Sequence, residues 1–221
     1  MPLDPDEVSA AVFEAVDIYA GTPAEGFLTP RQQSRRRRIL HAAVNAASTG
    51  GYALVHMREI ADNAEVSMAT IYHYFPSKIH LLVSALTEEL AAFDKHLHDG
   101  LDRVPGAFDR LRLAVVSLIN AMQRSDRITE ALTHAYAASC VGATPDAQRV
   151  HDQTTRMFAG LMHGGEPADE NHHEVSEILA DVWTSEILAL VQERTTFADL
   201  RRQMLMTIDL LERGFCSPVL T

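Results

Sequence analysis

Apolar positions recur at three- and four-residue spacing through most of this chain, and no stretch alternates convincingly in the period-two manner of a strand. Ile39, Ala42, Ala43 and Ala46 predict a helix over Arg31–Thr49, ended by Gly50-Gly51. Ile60, Ala61 and Ala64 predict a short helix from Met57 to about Ala64. After a turn of a few residues, Ser67 caps a second short helix, Met68–Phe75, whose buried stripe is Ile71 and Phe75. Pro76 stops it, and Ser77 caps a longer helix to about Asp99 that carries Ile79, Leu82, Val83, Leu86, Leu90 and Phe93. Further helices are expected at about 107–123, 126–142, 146–163, 171–193 and 196–213, each bounded by a glycine, a proline or a cap. The pattern predicts an all-α fold: an N-terminal three-helix helix-turn-helix head and a C-terminal helical body. A looser stripe, Val8, Val12, Ala15, Val16 and Tyr19, predicts one more helix from Pro5 to about Ala20, followed by a linker, GTPAEGFLTP.

Charge sharpens this division. The net charge of −11 argues against a protein that is basic throughout, but its distribution is uneven. Residues 1–30 hold six acids and no Lys or Arg, residues 31–78 have a net charge of +4, and residues 79–221 have a net charge of −9. The expected organisation is an acidic extension (1–30), a DNA-binding domain (31–78) and a larger helical body (79–221). The extension reads either as a disordered or loosely docked segment, or as one that packs on a partner subunit or competes with DNA through its charge. Two cysteines, Cys140 and Cys216, make no disulfide framework. The N-terminus lacks a basic n-region, and no run approaches the roughly 18 apolar residues of a membrane span. A cytoplasmic protein is expected.

The basic segment carries the candidate chemistry. In the second short helix Met68, Ala69, Thr70, His73 and Tyr74 are expected to face outward. Hydroxyl, phenol and amine groups suit phosphate oxygens, and small or flexible side chains at the helix start let its backbone approach base edges. Thr70 and Met68 are the candidate base contacts, with Ser67 at the cap. Tyr72, Tyr74, Lys78 and the run Arg35, Arg36, Arg37 and Arg38 are the candidate phosphate contacts. Four consecutive arginines beside a helix-turn-helix point to an arm on the phosphates or in the minor groove rather than to a solvated face.

The run IADNAEVSMATIYHYFPSKIHLL resembles the DNA-binding domain of the TetR family of transcriptional regulators, through Ile60-Ala61, Ala64, Val66-Ser67, Thr70, Tyr72, Tyr74-Phe75, Ser77-Lys78 and Leu81-Leu82. It departs from the family pattern at Glu65 and Ala69, where glycines are common, and at Met57, where a phosphate-binding threonine is frequent. Glu65 is therefore expected to hold a left-handed conformation. The resemblance implies a homodimer joined through its last two long helices, a body enclosing an apolar cavity for an effector, and release from a palindromic operator when effector binds. Candidate core or interface positions in those helices are Val175, Ile178, Leu179, Val182, Leu188, Leu205, Ile208 and Leu211.

A narrower similarity, to KstR-type repressors of sterol catabolism, runs through YHYFPSKIHLLVSAL, AMQR, ITEALTHAY, GEP and DVW. It implies a steroid or fatty acyl-CoA as effector, with Met122, Arg124, Tyr136, Phe158, Leu161, Met162 and Trp183 as pocket candidates. Arg124 or Arg127 would meet the polar end. Methionines and aromatics at helical spacing also suit a plain core. The alternative is a regulator of the same fold answering to an unrelated hydrophobic drug or metabolite. An enzyme is not expected, since no GxSxG, P-loop or paired nucleophile and base is present. The histidines His96, His98, His163, His172 and His173 fall in no metal-ligand spacing, so neither a metal nor another cofactor is expected.

Overall fold

The computed structural model describes residues 28–101, 104–141, 145–163 and 170–215. These form nine α-helices and one 3₁₀ turn. In chain order they are α1 (Pro30–Gly50), the turn Tyr52–Leu54, α2 (Met57–Asn63), α3 (Met68–Tyr74), α4 (Lys78–Leu101), α5 (Ala107–Arg124), α6 (Asp126–Val141), α7 (Pro145–His163), α8 (Glu170–Val191) and α9 (Phe197–Phe215). The predicted elements agree with these to within a few residues. The helix expected at Pro5–Ala20, its linker and the GEP segment lie outside the described residues. No described helix is long and apolar enough to cross a membrane.

The helices gather into two compact units, one from the described residues of Met1–Glu88 with Ser125–Gln148, the other from those of Glu89–Arg124 with Arg149–Thr221. Packing is therefore not contiguous in sequence. A division at residue 78 follows chain order and does not anticipate that α6 packs on α1 and the 3₁₀ turn.

In the first unit α1 starts with a capping box: the Thr29 hydroxyl accepts from the Gln32 amide, and Gln32 Oε1 accepts from the Thr29 amide at 2.8 Å. Pro30 occupies the first helical position, where its missing N–H costs nothing. The helix closes at Gly51, whose φ of 66° and ψ of −159° belong to a region essentially reserved for glycine. Its amide donates to the Ala47 carbonyl at 2.8 Å. Ile39, Leu40, Ala43, Ile60, Ala61, Ile71, Phe75, Leu81 and Leu82 are all buried. Burying each large aliphatic among them contributes about 1.5–3 kcal/mol, which two seven-residue helices need because neither is stable alone. From α6, Ala131, Leu132, Ala135 and Tyr136 are buried in the same unit.

In the second unit α9 packs on α5 and α8. Arg112 of α5 donates through Nε and Nη2 to Asp209 at 3.0 and 2.8 Å and also reaches Glu212, joining α5 to α9. Arg110 donates to the carbonyls of Val104 (2.7 Å), Leu161 (2.6 Å) and Met162 (3.1 Å). Two of these are orphan carbonyls of the last turn of α7, where a cation also complements the helix dipole.

Candidate nucleic-acid interface

Helices α2 and α3 meet through a tight turn. The Val66 amide donates to the Ala61 carbonyl at 2.9 Å and the Glu65 amide to Asp62 at 3.1 Å. Glu65 has a φ of 53°, so a non-glycine residue does hold the left-handed position the departure from the glycine pattern required. Ser67 then starts α3: its hydroxyl accepts from the Thr70 amide at 3.1 Å and lies 2.8 Å from the Thr70 hydroxyl. The two hydroxyls thus order each other at the start of the helix.

Ile71 and Phe75 are 0% and 2% exposed, and they turn α3 so that Ser67, Ala69, Tyr72 and His73 are exposed, with Met68 and Thr70 half-buried. Tyr72 is 49% exposed. Tyr74 is a correction. It was expected to face outward, yet it is 4% exposed, its ring 6.3 Å from that of Phe75 and edge-on to His73 at 5.4 Å. In so short a helix, Tyr74 lies three residues from Ile71 and so shares its inward side.

The four arginines separate in the same way. Arg37 and Arg38 are exposed and Arg35 is half-buried. Arg36 turns into the unit: its side chain is 14% exposed, pairs with Glu88 of α4 and lies 5.5 Å from the centre of the Phe75 ring. Arg36 is therefore held within the unit, a correction to the phosphate-contacting arm expected of Arg35, Arg36, Arg37 and Arg38. Lys78 is half-buried; its ammonium donates to the Tyr52 carbonyl at 3.1 Å and sits 3.8 Å over the Tyr52 ring.

Arg37 and Arg38 share an open groove of about 610 Å³ with His41 and Asn45 of α1 and with Asn63 to Glu65 of the α2–α3 turn. Asn45 Nδ2 and His41 Nδ1 are 3.2 Å apart. These polar groups were missed by reading the arginine run alone. Their three- and four-residue steps along one helix face, 34, 37/38, 41 and 45, were the available signal.

The candidate pocket residues lie in both units. Tyr136 is a core residue of the first, 4% exposed; Phe158, Leu161, Met162 and Trp183 are buried in the second. Met122 is half-buried, and Arg124 and Arg127 are exposed. Arg110, not singled out in the sequence, is the arginine engaged with the backbone of Leu161 and Met162. Burial pushes the Cys140 thiol above its ordinary range, partly offset by Tyr136. His163 and His172 approach with Nδ1 atoms 3.2 Å apart. Among the described residues no group of three or more candidate ligands could hold a metal ion.

The model for bacterial regulatory proteins of the tetR family matches residues 39–85, and that for a tetracyclin repressor-like C-terminal domain matches residues 106–211. The HTH-type transcriptional repressor KstR of Mycobacterium tuberculosis is 39% identical over 180 residues, 81% of this chain and 81% of that protein. A TetR transcriptional regulator from Rhodococcus sp. RHA1 superposes with a TM-score of 0.68 at 25% identity, covering 82% of this chain and 97% of the other. Thermus thermophilus FadR, solved in complex with lauroyl-CoA, gives a TM-score of 0.64 at 20% identity over 84% of this chain and 99% of that one. The exposed face of α3 and the segment that carries it thus fall within a matched regulator domain, and the chain belongs to the TetR family of bacterial regulatory proteins.

Proposed function

We propose that the chain is a homodimeric repressor that places two α3 helices in successive major grooves of a palindromic operator, and that a steroid or fatty acyl-CoA releases it. The observation that carries the reading is the outward face of α3, with its capped start at Ser67 and its exposed Tyr72, on a unit that also exposes Arg37 and Arg38. Met68 and Thr70 contact bases; Ser67, Tyr72, Lys78, Arg35, Arg37 and Arg38 contact phosphates. A seven-residue helix reads too few base pairs alone, which is why two copies are required.

Support for the dimer comes from α8 and α9, where Ile178 is 44% exposed and Met206 and Leu210, four apart on one face, are 47% and 56% exposed. Apolar side chains of this size at helical spacing suit a helix–helix interface. Support for the effector is the relationship to KstR, together with a fold that in the Thermus protein holds lauroyl-CoA. Effector and DNA must then weaken each other by the same factor.

The test is a titration of the chain against DNA from upstream of its own gene, with and without a panel of steroid and fatty acyl-CoAs. Specific, salt-sensitive binding released by one of them is expected. Release by none would discard the acyl-CoA in favour of another hydrophobic effector. Absence of any salt-sensitive binding would overturn the DNA-binding reading itself.

A further inference from the structure

Outside the DNA-facing residues, the first unit buries an unusual polar set. Ser77, His80 and Asp146 are 4%, 7% and 5% exposed, among apolar neighbours in sequence such as Ile79, Leu81, Leu82 and Val83. Ser77 stands at the corner between α3 and α4. Its hydroxyl lies 3.5 Å from the His80 amide, as an N-cap does, and 2.8 Å from His80 Nδ1. The other face of the same imidazole is turned to α7: Nε2 is 3.7 Å from Asp146 Oδ2, within ion-pair range though beyond a direct hydrogen bond. Burying three polar side chains is costly unless each meets a partner, so this arrangement stabilises one relative placement of the elements that carry it.

Those elements matter. Ser77 is three residues beyond the end of α3, and Asp146 lies in the first turn of α7. Residues of α4 and α7 are divided between the two compact units, at Glu88/Glu89 and at Gln148/Arg149, whereas α5 and α6 each belong to one. His80 therefore joins the head ends of two helices that continue beyond the DNA-binding unit.

We propose that His80 is a positioning residue for the recognition helix. It holds the corner after α3 in register with the start of α7 through the chain Ser77–His80–Asp146, so that a displacement of α7 is felt at α3. Its role in effector response rests on the proposed regulator function; its role in fixing the corner does not.

Hydrogen exchange on the full-length chain tests the corner directly. Two amides report on it: Phe75, which donates to Ile71 at 2.8 Å, and Leu81, which donates to Ser77 at 3.1 Å. Gly51, which donates to Ala47 at 2.8 Å, is the control at the far end of α1. Asp146→Asn keeps the size of a side chain distant in sequence from α3, and it is expected to speed exchange at Phe75 and Leu81 by about tenfold with little change at Gly51. Ser77→Ala and His80→Gln should raise the same two amides. His80→Gln combined with Asp146→Asn should exceed either single change by less than about twofold, because all three act through one chain.

Unchanged exchange at the corner in Asp146→Asn, an equal rise at all three amides, or multiplicative single effects would overturn the proposal. DNA titration of the same variants separates it from the regulator reading. A corner loosened in a chain whose wild type never binds DNA keeps the positioning role and removes the repressor. Weaker DNA binding in Asp146→Asn supports both.

Discussion

Arg36 and Arg38 are two residues apart in an unbroken arginine run, yet their surroundings assign them different work. Arg36→Ala removes an ion pair to Glu88 and a guanidinium 5.5 Å from the Phe75 ring centre. Glu88 is 42% exposed, so solvent screens the pair and its share is at most about 1 kcal/mol. The contact with the buried ring and the loss of the packed stem add a similar amount. The expected loss in urea unfolding is about 2 kcal/mol. Removing an exposed arginine should instead leave stability within about 0.5 kcal/mol.

DNA binding should reverse the order. Each phosphate contact contributes about 0.9 to the slope of log affinity against log salt. A fourfold rise in salt, from 50 to 200 mM, therefore costs the wild type about 3.5-fold more affinity per subunit than it costs Arg38→Ala. Arg36→Ala should keep the wild-type slope when measured at a temperature where it is fully folded. The paired assay is a DNA titration over that salt range alongside urea unfolding of the same samples. An Arg36→Ala chain of wild-type stability with a slope lower by about one would refute the division, as would an Arg38→Ala chain whose slope is unchanged.

Other outcomes follow from single contacts. Gly51→Ala forces a positive φ on a residue with a Cβ and puts that carbon 1.7 Å from a Glu130 carboxylate oxygen of α6, which must move. About 2–4 kcal/mol should be lost in urea unfolding, against a gain of about 0.5–1 kcal/mol for Gly100→Ala, an exposed helical site with nothing within 4 Å of its added carbon. Ser67→Ala should cost about 1 kcal/mol through loss of the α3 cap and should weaken binding to all DNA sequences tested. Desolvation raises the Asp94 carboxyl above its ordinary range despite opposing help from His98, so the native state holds that proton more tightly than the unfolded chain does. Stability should then fall as pH rises from the ordinary carboxyl range through the raised one. In thermal unfolding, Asp94→Asn should gain on wild type across that window and keep the gain at neutral pH.

The existence and type of the helices were legible because they rest on local rules. The apolar spacing of Ile39, Ala42 and Ala43, the cap at Ser67 and the stop at Pro76 each act within a turn or two of chain. Glu65 was legible for the same reason: a turn that favours glycine imposes its φ on whatever residue stands there. What escaped was long-range. That α6, some 75 residues beyond α1 and past α4 and α5, belongs to the first unit is a matter of which apolar faces meet, and periodicity shows only that a helix has such a face.

Side-chain direction escaped in a more instructive way. Residues adjacent in a helix point about 100° apart, so a run such as Arg35 to Arg38 must distribute its charges around the axis. One of them had to approach the apolar side set by Ile39 and Leu40. Arg36, three before Ile39 and four before Leu40, is the member whose spacing places it there. Its partners, Phe75 and Glu88, come from 39 and 52 residues away, and no local pattern names them. Tyr74 repeats the lesson on α3, where its three-residue step from Ile71 carries it inward. A polar composition can thus identify a DNA-facing segment. Sorting its members into those that meet DNA and those that hold the segment in place requires the inward stripe first, and then each polar residue's angle to it.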